Sequence, residues 1–187
     1  MIPVAGLDLS LRSAGVGIIN EDGSASCYTF GYELTKACTE RDRIERIIYI
    51  SNQVMGVLFR HKVKFVGFEN YGFAGNFLTL QADLGGTLKT QVYVGLKTVP
   101  ILLPAMSVRK YLLGKATKDK KVISKFLLGK GYDQPKNLDE SDALAVALVI
   151  NDWANRSCEI VDVHKMEVLD RINLNQSSKL KKAVKTV

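Results

Sequence analysis

The sequence predicts an α/β domain: a five-stranded mixed sheet flanked by helices. Three observations predict it. Three short apolar runs open the chain with little between them, the pattern of an antiparallel meander. Two further runs then alternate with long segments whose apolar residues recur at helical spacing. The strongly apolar stretch Asp139–Asn155 has helical length and closes the pattern.

Taken in order, Val4–Leu9 reads as the first strand and Gly15–Ile19 as the second. Glu21-Asp22-Gly23 is a hairpin turn signal. Ser26–Leu34 returns as the third strand, with Tyr28, Phe30 and Tyr32 on alternating positions. Thr39 is placed to cap a helix over 40–62, in which Ile44, Ile47, Ile48, Ile50, Val54, Val57 and Leu58 keep helical spacing. With Arg43 following, the expected cap lacks a clean capping box. Lys64–Glu69 is the fourth strand, and Phe77–Tyr93 a helix expected to be interrupted or indented by close packing at Gly85-Gly86. Thr98–Leu103 is the fifth strand, stopped by Pro104. Helices follow at Ser107–Leu113, Lys118–Leu128 and Asp139–Asn155.

The chain has 187 residues, 47% of them hydrophobic, which suits one folded domain over 1–155 with an extension over 156–187. No run is long enough for a membrane span, and Met1-Ile-Pro-Val lacks the basic-then-apolar pattern of a signal segment. Cys27, Cys38 and Cys158 lack metal-ligand spacing and read as free thiols of a reducing cytoplasm. The net charge of +7 and pI near 9.3 favour a polyanionic partner. Between Ser107 and Lys136 lie nine basic residues, among them Arg109, Lys110, Lys115, Lys118, Lys120 and Lys121, against Asp119 and Asp133. A solvated helix face is the plainer account of that cluster. Lys179, Lys181, Lys182 and Lys185 end the chain in a basic tail, which disorder describes whether or not it touches DNA.

Four acids stand out. Asp8 lies inside the first strand and Glu69 ends the fourth. Asp139 and Asp142 open the last helix three residues apart, hence on one face. A carboxylate in an apolar element is costly unless paired or bound to metal. Three elements bearing such groups suggest a shared cation, with Mg²⁺ expected because it prefers oxygen ligands. The competing account of Asp139 and Asp142 is capping and the helix macrodipole. Ser10, Arg12 and Ser13 follow Asp8 and are either phosphate contacts or a plain turn. His61 and His164 are isolated and read as helix-end or surface residues.

The ordered set of Asp8, Glu69 and Asp139-x-x-Asp142-Ala-Leu-Ala-Val-Ala resembles the RuvC-type Holliday junction resolvases, of the ribonuclease H-like superfamily. Leu80-Gln-Ala-Asp-Leu-Gly-Gly86 resembles that family's glycine-bearing helix. Pro104–Lys110 with Gly114–Lys118 resembles its basic DNA-contacting segment. The likeness covers about Met1 to Asp152. It departs after Asp8, where Leu9-Ser10 replaces the family's Pro-Gly pair, and after Glu69, where Gly72, flanked by Tyr71 and Phe73, replaces its wedge aromatic. Tyr71 and Phe73 are either stacking residues for an opened base or ordinary loop packing.

The resemblance implies a ribonuclease H-like fold and a metal-dependent endonuclease that cuts branched DNA. Two Mg²⁺ ions, for which Mn²⁺ substitutes, would be held by Asp8, Glu69, Asp139 and Asp142, and the ends left would be 5′-phosphate and 3′-hydroxyl. It also implies a homodimer that matches the two-fold junction, with 77–93 as candidate interface, and no membrane partner. Divergent forms occur in bacteriophages, so the expected place of action is the cytoplasm, that of a bacterial host if phage-encoded.

Three other readings stay open on the residues. One is a ribonuclease H-like nuclease acting on RNA–DNA hybrids, flaps or forks. Another is a non-catalytic junction-binding module. The third is an actin-like ATP-binding fold, from Asp8-x-Ser10 near Gly15, for which the chain is short.

Overall fold

The computed structural model describes residues 1–10, 13–33, 38–70, 78–155 and 165–173, with 78–81 described by backbone alone. The five strands are β1 (Val4–Leu9), β2 (Ser13–Ile19), β3 (Ala25–Gly31), β4 (Phe65–Asn70) and β5 (Ile101–Pro104), in the sheet order β3-β2-β1-β4-β5. β1 pairs antiparallel with β2 and parallel with β4. β2–β3 is antiparallel and β4–β5 parallel. The sheet is thus mixed, as expected.

Helices α1 (Glu40–Arg60) and α2 (Leu78–Leu96) cover one face. They bury Ala5, Leu7, Leu9, Val16, Ile18 and Phe68 with Ile50, Val54, Leu58, Leu88 and Val92. Helices α3 (Ala105–Leu113), α4 (Lys121–Gly129) and α5 (Leu138–Asn155) cover the other. Period-two alternation along β1 therefore sends Val4, Gly6 and Asp8 to the α5 side and the residues between them to the α1–α2 side. Residues 140–147 of α5 are buried without a break, since the helix lies between the sheet and α3 and α4. That position accounts for an apolar composition all round the helix.

Several boundaries differ from the sequence reading. Helix α1 does begin with a capping box. The third residue after its cap is Asp42, whose carboxylate accepts from the Thr39 N–H while Thr39 Oγ1 accepts from the Asp42 N–H. Arg43 is one position too far along to reveal it. Helix α2 runs unbroken through Gly85-Gly86, and a Cβ added at Gly86 would meet nothing within 4 Å, so close packing is not the reason for that glycine. β3 ends at Gly31, short of Leu34. The helix over 165–173, α6, was not expected. It buries Val168, Leu169 and Ile172 against the α3–α5 side, and Lys110 pairs with Glu167 at 2.9 Å.

Candidate active site

The register of β1 and β4 builds the first half of the site. Leu7 pairs with Phe68, so the next residues, Asp8 and Glu69, stand side by side where the two strands end together. Both strands are parallel here, and their C-terminal ends meet the start of α5.

Four glycines let α5 sit directly on the sheet. A Cβ at Gly6 would strike the Ala143 carbonyl, one at Gly17 the Leu144 backbone, and one at Gly67 the side chains of Val146 and Ile150. Gly15, the strand partner of Asp8, lies under the Asp139 carbonyl, which a Cβ would also strike. The first turn of α5 is thereby lowered onto Asp8.

Polar bonds fix that turn. Asn137 Oδ1 accepts from the Glu140 N–H at 2.9 Å and so caps the helix. The buried Glu140 carboxylate accepts from Thr29 Oγ1 at 2.7 Å and from the Lys136 N–H at 2.7 Å, which ties α5 to β3. Asp139 is therefore not the cap. Its Oδ2 accepts from Ser13 Oγ at 2.6 Å.

The result is an acidic cluster. One carboxylate oxygen from each of Asp8, Glu69 and Asp142 lies within 4.8 Å of the other two. Asp139 stands outside that set of oxygens, yet near enough for its charge to act on Asp8. Two cations approach the cluster. Lys120 Nζ is 2.7 Å from Asp142 Oδ2 and 3.6 Å from Asp8 Oδ2. Arg109 Nη2 is 3.8 Å from Asp142 Oδ1, while its Nη1 donates to the Thr117 carbonyl at 3.0 Å.

Electrostatics follow from burial and crowding. Burial raises Asp8 to about 6; Lys120 opposes this, and the charges of Asp142 and Asp139 add to it. Burial, then the charges of Asp8 and Asp142, raise Glu69 to about 8 against Lys120 and Arg109. Partial burial works against the Lys120 charge, but the Asp142 bond and the Asp8 charge outweigh it and raise its pKa. A divalent cation fits this donor set. The ligand atoms are hard carboxylate oxygens. Asp142 Oδ2 is buried, and apart from the Lys120 ammonium it has no hydrogen-bond partner among the described residues.

The basic segment divides. Lys115, Lys118, Lys120 and Lys121 are exposed, with Lys120 reaching the cluster, whereas Lys110 is held by Glu167 and Arg109 is only 6% exposed, facing the acids from within. Tyr71, Phe73 and Arg12 lie outside the described residues, as do Cys158, His164 and the basic tail. His61 is at the C-terminal end of α1, bonded through its ring nitrogens to Asn20 and Tyr28, and takes no part in the site. Ser10 and Ser13 form the turn between β1 and β2, with the Ser10 N–H donating to the Ser13 carbonyl at 2.8 Å. Sequence reasoning had no signal for Ser13 meeting Asp139 or Thr29 meeting Glu140, because each pair is more than a hundred residues apart.

Comparison with known proteins agrees with this architecture. The family model described as crossover junction endodeoxyribonuclease RuvC matches residues 4–150. The Thermus thermophilus RuvC structure is similar at TM-score 0.62 and 22% identity, over 82% of this chain and 96% of that one. T. thermophilus RuvC in complex with a Holliday junction substrate is similar at TM-score 0.65 and 20% identity, over 84% and 97%. At these identities the likeness shows the fold, which is ribonuclease H-like. No curated protein sequence matches.

Proposed function

Because the chain belongs to the RuvC family of crossover junction endodeoxyribonucleases, we propose that it cuts four-way and related branched DNA with Mg²⁺ held by Asp8, Glu69, Asp139 and Asp142. The observation that carries this reading is the convergence of three carboxylates from β1, β4 and α5 within 4.8 Å. Asp8 is central to it, standing beside Glu69 on one strand and over Gly15 on the other. A pair of bound divalent ions supplies an activated water and a stabilised leaving 3′ oxygen, so that the ends are 5′-phosphate and 3′-hydroxyl. Mn²⁺ would serve in place of Mg²⁺. Lys120 already approaches Asp142 and Asp8, which suits it to stabilise charge that develops on the scissile phosphate. Arg109 steadies Asp142 from the protein side.

The exposed Lys115, Lys118 and Lys121 would carry the DNA backbone toward the acids, and Tyr71 or Phe73 would stack on an opened base. A two-fold homodimer would present two clusters to the two equivalent strands of a junction. Its candidate interface is the α1–α2 surface. Phe59, Tyr93 and Val94 are each more than half exposed there, beside a groove of about 390 Å³ whose lining includes Met55, Gln91 and Gly95. Gln91 Oε1 is buried there without a hydrogen-bond partner among the described residues, as a partner's donor would relieve. Residues 1–155 are the nuclease domain and 156–187 an extension of it. No helix among the described residues is long and apolar enough to cross a membrane, and the cytoplasm, of a bacterial host if phage-encoded, is the proposed place of action.

The test is cleavage of a synthetic mobile junction with and without Mg²⁺, beside a fork, a flap and an RNA–DNA hybrid. Paired nicks in the junction that need Mg²⁺ are the expected result. Preferential cutting of the hybrid would move the substrate to RNA–DNA, and metal-free binding without cutting would make the protein a junction-binding module.

A further inference from the structure

We propose that Ser13 is a positioning residue for metal capture, its hydroxyl orienting the Asp139 carboxylate toward Asp8 before any ion arrives. The inference rests on the metal-site reading given above and extends it to a residue outside the acidic set.

Asp139 does not cap its helix; as a first-turn acid it has only the general favour of the macrodipole. The N-terminus of α5 is already capped by Asn137, whose Oδ1 takes the Glu140 N–H. The strand-side tether of the same turn is already made by Glu140 with Thr29. What remains for Asp139 is one short bond, Ser13 Oγ to Oδ2 at 2.6 Å, the length of a hydroxyl donating to a carboxylate. A serine hydroxyl has a single proton, so in that bond Ser13 gives it to Asp139 and its oxygen is left to accept. Ser10 Oγ lies 3.0 Å from Ser13 Oγ, and the Ser13 N–H donates to Ser10 Oγ at 3.0 Å. Ser10 Oγ also lies 3.0 Å from the Ser13 carbonyl and has one proton for either acceptor, so Ser10 ties down the Ser13 backbone while Ser13 Oγ holds Asp139. The backbone beneath serves the same end, since Asp139 lies over Gly15, the strand partner of Asp8. With Oδ2 tied, the carboxylate loses rotational freedom in advance, and its other oxygen is left for a cation shared with Asp8. Removing an orienting partner of this kind typically lowers metal affinity 10–100-fold.

The experiment uses the full-length protein and Mn²⁺ as probe, with binding followed by titration calorimetry. Melting in EDTA and metal-free junction binding are measured in parallel. Ser13→Ala should weaken Mn²⁺ binding by about tenfold, with metal-free junction affinity kept. Ser13→Thr, which retains the hydroxyl at a strand position, should restore it. Wild-type or tighter Mn²⁺ binding by Ser13→Ala overturns the inference. So does equal weakening in Ser13→Thr accompanied by a matching fall in melting temperature, which marks a merely structural contact. Asp8→Asn separates the two levels: if it loses Mn²⁺ while Ser13→Ala keeps it, only the role of Ser13 falls. If Asp8→Asn itself binds Mn²⁺ as the wild type does, the metal site falls with it.

Discussion

Without metal, the acidic cluster should make the protein less stable as pH rises through neutrality, the reverse of ordinary acid denaturation. Glu69 carries the effect. Burial and the neighbouring Asp8 and Asp142 raise its pKa from 4.5 to about 8. Between those values the folded state keeps a proton that the unfolded state has released. Folding stability therefore falls with pH, and the contribution present below the unfolded pKa is gone above the folded one. Each pH unit in that interval is worth about 1.36 kcal/mol. From about pH 6.5 to about pH 8 the loss is roughly 2 kcal/mol, or about 4–8 °C in Tm for a chain of this size. Other shifted groups act only at the edges of the window. Asp8, at about 6, has largely ionised by its lower edge. His61, held below its usual pKa by burial and Arg60, acts in the opposite sense, but only near the lower edge, where the unfolded imidazole is still releasing its proton. Cys27, pushed up to about 12 by burial and the Glu140 charge, departs from the unfolded thiol only above the window.

The assay is thermal melting in EDTA across that range for the wild type and Glu69→Gln, repeated in saturating Mg²⁺. The wild type should lose Tm with pH in EDTA and keep it in Mg²⁺, because the ion binds the ionised carboxylates and its stabilisation grows as protons leave. Glu69→Gln should lose the slope and, at about pH 8 without metal, melt above the wild type. A flat or rising wild-type Tm in EDTA, or a wild-type slope kept in Glu69→Gln, would refute the account of the site as mutually repelling carboxylates.

Three further outcomes follow from the proposed function. Asp8→Asn should bind a junction as tightly as the wild type or more so, with cleavage reduced by orders of magnitude; full cleavage would remove Asp8 from the site. Replacing Lys118, Lys120 and Lys121 together by Ala should weaken DNA binding and lower the slope of log affinity against log salt by up to about 3, read from fluorescence anisotropy titrations at several salt concentrations. Tyr71→Ala or Phe73→Ala should slow cutting of an intact junction far more than of a mismatched, pre-opened one if the ring stacks on a base; equal slowing with a lower Tm would make both rings loop packing.

The succession of strands and helices along the chain and the shared face of Asp139 and Asp142 were legible because both rest on local periodicity. Period two along Val4–Leu9 already separates Asp8 from Leu7, and the three-residue spacing of Asp139 and Asp142 already places them on one helix face. The Thr39 cap of α1 was equally local and was read correctly; its capping box was missed only because Asp42, not Arg43, occupies the third position. Helix α6 was local too. Val168, Leu169 and Ile172 have helical spacing, but so short a run among charged residues gives little signal without the α3–α5 surface that buries it.

What the sequence could not disclose is how closely α5 approaches the sheet. Gly6, Gly15, Gly17 and Gly67 read, strand by strand, as weak strand formers. Their common reason exists only in three dimensions, where each leaves the space that α5 needs. The same approach creates the pairings that link the ends of the chain, Ser13 with Asp139 and Thr29 with Glu140, each across more than a hundred residues. Those bonds, with the Asn137 cap, narrow the accounts of an acid at a helix start that the sequence left open. With Asn137 occupying the cap and Glu140 tied to β3, Asp139 is released from capping and keeps only the general preference of the first turn for an acid. An acid so released, hydroxyl-bonded at one oxygen and standing over the strand partner of Asp8, is open to the part in metal binding proposed for it.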